Sequence, residues 1–197
     1  KPPMSRHGGM QQKLDDAITG ANRVAEIIQQ LRLYAHQRDD GVASGSLAEA
    51  VMLATQLASF AISDSIDVEV DIPAGLPEVA MGVGQLSQVM LNLCINGGDA
   101  MEEAEQVDGR ISISAIAEDL GVLVRVIDNG PGIPAAIRES VFRPFFTTKE
   151  PGKGTGMGLS ISRGLIHATG GSLSLRTVRE ARASRSSRPS SLTSTTS

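Results

Sequence analysis

The sequence predicts a mixed α+β fold, a two-layer α/β sandwich with helices stacked on one face of a mixed sheet. Three observations carry this. Helical apolar repeats are interleaved with strand-like runs in no strict βαβ order, and two of the strand-like runs, 111–117 and 122–127, flank Asp119-Leu120-Gly121 as a hairpin would. With 41% hydrophobic residues in 197, the chain has enough apolar mass for one core, and length alone predicts one domain plus an appendage.

Residues 10–38 contain no Pro and place Leu14, Ala17, Ile18, Ala21, Val24, Ala25, Ile28, Leu31 and Ala35 at steps of three and four. That spacing draws one apolar stripe along a long helix whose other face is polar. A lone amphipathic helix leaves such a stripe in water, so packing against a partner helix, a second subunit or its own domain is expected. After a break at 41–46, residues 47–61 read as a second helix. Residues 66–72 alternate as a half-buried strand that Pro73 ends, and 79–81 read as a short strand. Residues 85–103 form a strong helical pattern, followed by the hairpin. A Gly/Pro turn spans 129–134, a polar Gly-rich loop spans 147–155, a helix follows over 156–169, and 173–175 begin another strand. From 177 onward the sequence is Arg, Ser, Thr and Ala with almost no large apolar residue, a composition expected to be disordered.

Aromatics are scarce (no Trp, one Tyr, four Phe), so the core is expected from Ile, Leu, Val, Met and Ala, and no aromatic platform for nucleic acid is present. Residues 176–197 hold five Arg and one Glu, which leaves thirteen basic against twenty-one acidic residues in the rest. An acidic body repels a polyanionic backbone, so no nucleic-acid partner is expected. The single cysteine, Cys94, excludes an internal disulfide and reads as a small buried hydrophobe suited to a reducing compartment. No apolar run approaches the roughly 20 residues that span a bilayer, and the start lacks a signal-peptide core. The segment is therefore expected to be cytoplasmic and free of membrane, while a longer parent could carry a membrane sensor.

Four segments carry chemistry. Gln88, Asn92, Asn96 and Asp99 fall at steps of four, four and three, on one face of a helix. That face offers oxygen ligands suited to Mg²⁺ and to waters around phosphates, although any amphipathic helix also has a polar face. Asn is a poor helix former, so its repetition at i and i+4 points to a task. Asp128-Asn129-Gly130-Pro131-Gly132-Ile133 puts a carboxylate at a strand end, able to accept a hydrogen bond from an exocyclic amine beside glycines that admit a flat ring. The same Asp-Asn-Gly is also an ordinary turn composition. Residues 141–149 hold three of the four Phe beside Lys149, fitting either an anchored lid base or a plain hydrophobic latch. Gly152-Lys153-Gly154-Thr155-Gly156-Met157-Gly158-Leu159 runs a Gly-rich loop into a helix start, a setting that favours phosphate. It matches neither the P-loop nor the dinucleotide fingerprint.

In this order and at these spacings, the four segments resemble the nucleotide-binding domain of sensor histidine kinases, in the superfamily shared with gyrase, the heat-shock chaperone and mismatch-repair ATPases. The resemblance covers about residues 47–175, and the Thr147-Thr148-Lys149 and Gly152–Gly156 stretches look most like kinases of the nitrogen-regulation type. It implies the Bergerat-type ATP-binding fold over 41–175, with 1–40 as the second helix of a dimerisation hairpin and 176–197 as a tail. It further implies ATP and Mg²⁺ as ligands. Asn96, helped by Asn92, would hold the metal, Asp128 would accept the adenine amino group, and Asp99, Gly130, Gly132, Ile133, Thr148 and Leu159 would also belong to the nucleotide site. Lys149, Lys153 and the backbone of the run Gly154, Thr155, Gly156, Met157 and Gly158 would take the phosphates under a lid. Implied partners are a response-regulator receiver domain and a second copy through 10–38, and the implied reaction is transfer of the γ-phosphoryl to a histidine in two-component signalling.

Three departures qualify the resemblance. Neither His7 nor His36 stands in the family's phosphoacceptor setting, so the isolated chain is not expected to phosphorylate itself. Gly97-Gly98 stands where the family has Ala; interior helix glycines cost roughly 1 kcal/mol each, so Gly98→Ala is expected to raise stability. After Leu175 the final strand of the family gives way to an Arg/Ser-rich run that reads as frame-shifted. The alternative reading is a non-catalytic dimerising scaffold that docks a response regulator. A gyrase-like ATPase is disfavoured, because no Glu precedes Asn96 where one would activate water.

Overall fold

A computed structural model describes residues 44–150 and 154–176. Helix α1 spans Leu47–Ala58, strand β1 Ile66–Asp71, helix α2 Val83–Glu103, strand β2 Gly109–Glu118, strand β3 Gly121–Asp128 and helix α3 Gly158–Ala168. Two 3-10 turns, Ala135–Ile137 and Ser140–Phe142, lie between β3 and α3. The expected long helix over 10–38, Lys153 and the segment from 177 fall outside the described residues.

Each boundary has a local cause. Ser46 caps α1 by accepting from the Glu49 N–H at 3.3 Å, and α1 ends at Ala58, three residues short of the expected end at 61. The strands form one sheet in the order β1-β2-β3, with β1 and β2 parallel and β2 and β3 antiparallel through the expected hairpin. Register places Val68 beside Ile111 and Ile113 beside Val126, so the apolar set of all three strands faces one side. Ile66, Ile111, Ile113 and Ala115 are buried there, under Leu47, Val51, Val89, Met90 and Met101 of the helices. The opposite face carries Glu69, Arg110, Ser112 and Arg125, with an exposed Arg110–Glu69 pair at 3.0 Å. This alternation, apolar toward the helices and polar toward water, is what a one-sided antiparallel hairpin requires, and the two-layer α/β sandwich stands.

Two expected strands are corrected. Residues 79–81 contribute one antiparallel bridge, Gly45 with Val79, in place of a strand. Residues 171–176 hold no strand: Leu173 and Leu175 keep an alternating burial, yet among the described residues no ladder partner hydrogen-bonds them. A strand is a paired structure, so a two-residue period without a partner backbone leaves irregular chain. Cys94 is fully buried as expected, and burial pushes its thiol up to about 11, so it remains protonated and unreactive at neutral pH.

Candidate functional site

Helix α2 is the floor of the site. Its buried stripe, Leu86, Val89, Met90, Cys94, Gly97, Gly98 and Met101, is pressed on α1 and the sheet. The opposite stripe, Gln88, Asn92, Asn96, Asp99 and Glu103, therefore lines a pocket of about 530 Å³. That volume suits a nucleotide-sized ligand. The far walls are Gly132, Ile133, Pro134, Ile137 and Val141 on one side and Phe146, Thr147, Thr148, Lys149, Gly154, Thr155 and Gly156 on the other, with Gly158 and Leu159 at the start of α3.

Of the residues the sequence singled out, Asn92, Asn96, Asp99, Gly132, Ile133, Thr148, Lys149, Gly154, Thr155, Gly156, Gly158 and Leu159 are brought together on this lining. Asp128, Gly130 and Met157 are not on it. Asp128 ends β3 on the helix-facing side, opposite Ile111, and lies beneath α2, where a Cβ on Gly97 would stand 3.3 Å from its own Cβ. Its carboxylate accepts the Gly130 N–H at 3.0 Å, an arrangement that fixes the turn into Pro131 and Gly132. Asn129 proves to be a clamp: it accepts from the Arg110 N–H at 2.7 Å, donates to the Asp108 carbonyl at 2.8 Å, and so ties the end of β3 to the start of β2. Glu103 was missed, and one further step of four along the same helical face would have found it. The apolar wall of Pro134, Ile137 and Val141 belongs to the 3-10 region, where no periodicity signals a face.

The two asparagines differ. The Asn92 amide donates to the Gly158 carbonyl at 3.2 Å and to Ser162 Oγ at 3.1 Å, while its oxygen accepts from Gln88 at 2.9 Å. It is a strut that fastens the start of α3 onto α2, and one lone pair of its oxygen remains for a metal. Asn96 lines the pocket and makes no side-chain hydrogen bond to a described residue. Among the described residues no cluster of three or more His, Cys, Asp or Glu could hold a metal by itself. Mg²⁺ asks for less than that, since it commonly takes one or two protein oxygens and leaves the rest to phosphates and water. Asn96 fits such a role.

The glycine-rich loop is held by crowding. Gly156 has φ +66, and a Cβ there would stand 2.6 Å from the Phe145 carbonyl carbon and 2.6 Å from the Phe146 oxygen. Any side chain would strain the backbone and push the loop off the preceding segment. The three Phe do not act as one cluster: Phe142 lies under the Arg163 guanidinium at 4.9 Å, Phe146 lines the pocket, and Phe145 is exposed at positive φ. Lys149 crosses the pocket to form an ion pair with Asp99, its stem close to Gly154.

A helix floor with oxygen-bearing side chains, a Gly/Pro turn at a strand end and a Gly-rich loop over the top have the layout of a nucleotide-binding domain. The chain belongs to the family described as histidine kinase-, DNA gyrase B-, and HSP90-like ATPase, whose model matches residues 82–195. Among relatives, the sensor kinase CckA of Brucella abortus is 34% identical over 162 residues, 77% of this chain and 17% of that protein. The sensory histidine kinase/phosphatase NtrB of Vibrio alginolyticus is 30% identical over 166 residues, 79% of this chain and 46% of that protein. Among solved structures, the catalytic domain of histidine kinase ThkA superposes with a TM-score of 0.56 at 30% identity, covering 66% of this chain and 82% of that one. ThkA in complex with response regulator protein TrrA gives 0.55 at 25% identity, covering 77% and 43%. The chain thus spans less than half the length of these two curated relatives, and no described helix is long and apolar enough to cross a membrane.

Proposed function

We propose that this chain binds ATP with Mg²⁺ in the α2 pocket and serves as the phosphoryl-donor half of a two-component histidine kinase. The observation that carries the reading is the convergence of Asn96, Gly132, Ile133, Thr148, Lys149 and Gly154 to Gly156 on one cavity of about 530 Å³, from four separate stretches of sequence. Asn96 holds the metal with help from the remaining lone pair of Asn92, and Mg²⁺ when bound neutralises charge between the phosphates. Lys149, Lys153 and the backbone N–H groups at the start of α3 take the phosphates. Asp128 accepts the adenine amino group on this reading. Because its carboxylate holds the Gly130 N–H, the second carboxylate oxygen is the one offered to a base.

In the reaction, a histidine ring nitrogen attacks the γ-phosphorus, the bond between that phosphorus and the β,γ-bridging oxygen breaks, and ADP leaves. Positioning and charge neutralisation supply most of the acceleration for such a transfer. The acceptor histidine lies on another segment, since neither His7 nor His36 has the acceptor setting and His167 lies in the last turn of α3 within the nucleotide-binding part itself. A receiver domain then takes the phosphoryl group, in keeping with the solved ThkA–TrrA pairing, and residues 10–38 pair two copies. A cytoplasmic location follows from this role.

The test supplies γ-labelled ATP, Mg²⁺ and a separate dimerisation hairpin bearing an acceptor histidine from a CckA-type relative. Acid-labile label on the hairpin, and none on this chain alone, is the expected result. Label on this chain alone would contradict the assignment of the acceptor elsewhere. No nucleotide binding by the folded chain, with no transfer to any hairpin, would favour the scaffold reading, which the absence of a fourth strand among the described residues supports.

A further inference from the structure

The described pocket lining is formally negative: Asp99 and Glu103 are its acids and Lys149 is its one cation. That cation is already taken, because Lys149 Nζ pairs with the Asp99 carboxylate, with side-chain exposures of only 20% and 29%. The lysine stem runs beside Gly154, and its own N–H is held by Thr147 Oγ1 at 3.2 Å. Fifty residues separate the partners in sequence, so the pair bolts the Gly-rich loop across the floor of the cavity.

A ligand that uses Lys149 must first break this pair, and it leaves the Asp99 carboxylate facing whatever replaces it. A neutral nucleoside gains nothing by doing so. A di- or triphosphate brings more negative charge than one carboxylate, draws the ammonium away, and needs a divalent cation against the repulsion from Asp99. We propose that Asp99 is a residue that limits the affinity of the pocket for di- and triphosphates by competing with the ligand for Lys149. This rests on the nucleotide reading above and adds to it a residue that loosens the ground-state hold on ADP and ATP while leaving a neutral nucleoside unaffected.

The test is calorimetric titration of the whole chain and of Asp99→Asn, Asp99→Ser and Lys149→Gln with adenosine, ADP and ATP in Mg²⁺, each variant first checked for a native melting transition. Removing the carboxylate is expected to tighten ADP and ATP by roughly threefold to tenfold, the range of a partly shielded ion pair, and to leave adenosine unchanged. The gain is expected to vanish in Asp99→Asn/Lys149→Gln. Unchanged or weaker ADP and ATP binding in both Asp99 variants would overturn the competition and make Asp99 a ligand of the metal or phosphates. A gain that survives without Lys149 would overturn it as simple charge repulsion. Failure of the folded wild type and every variant to bind any of the three compounds would instead sink the nucleotide reading itself.

Discussion

A Cβ at position 98 would stand 2.5 Å from Ile62 Cγ2 and 3.1 Å from Ile62 Cβ, both on a β-branched side chain with little room to turn. Helix propensity alone favours Ala there by roughly 1 kcal/mol, which is why the sequence suggests that Gly98→Ala stabilises. Overpacking costs about 1–3 kcal/mol, and it wins because Ile62 and Gly98 are both buried between α1 and α2. The expectation is corrected: Gly98→Ala should lower the melting temperature, by about 1 kcal/mol of stability net. Combining it with Ile62→Ala should cost less than the sum of the two single changes, as thermal unfolding of the four proteins would read. An increase in the single variant would show that Ile62 gives way at no cost. Gly97 and Gly98 of α2 are thus contact points where helix meets core, a property of tertiary packing that no local sequence signal carries.

At the scale of elements, the β2–β3 hairpin and helix α2 were legible because their periods are strong. The hairpin places Ile111, Ile113 and Ala115 on one face at a period of two, and α2 places Asn92, Asn96 and Asp99 on one face at a period of 3.6. The run at 173–175, which has no ladder partner among the described residues, is not a strand because pairing is a relation between segments. Asn129 lay between these successes and failures: a turn residue by composition, it proves to be the clip that sets where β3 ends against β2. Each of its two side-chain hydrogen bonds is worth about 1 kcal/mol net. Asn129→Ala should therefore destabilise the domain by about 2 kcal/mol, measured by urea denaturation with an unchanged m-value, while Asn129→Asp, which keeps an acceptor for Arg110, should lose less. Equal losses in both would mean that the Asp108 contact carries the whole effect.

For the whole molecule, the sequence motifs point both to residues that the fold brings onto one lining and to residues that sit behind it. Asp128, Gly130 and Met157 carry recognisable spacing but lie off the described lining, and Glu103, Ile137 and Val141 line it without a motif of their own. Motif spacing reports on backbone turns and helix faces, while lining depends on how 3-10 turns and loops close over them. The two asparagines separate the roles most cleanly, since Asn92 is a strut with three side-chain hydrogen bonds and Asn96 has none to a described residue. The most direct measurement is binding of a fluorescent ATP analogue by the chain, by Asn96→Ala and by Asn92→Ala, with and without Mg²⁺, alongside their melting temperatures. The account predicts Mg²⁺-dependent binding in the wild type, its loss in Asn96→Ala at an unchanged melting temperature, and loss in Asn92→Ala together with a destabilisation of about 1–2 kcal/mol. A folded wild type that binds no analogue, or an Asn96→Ala variant that binds as the wild type does, would contradict the nucleotide-site assignment.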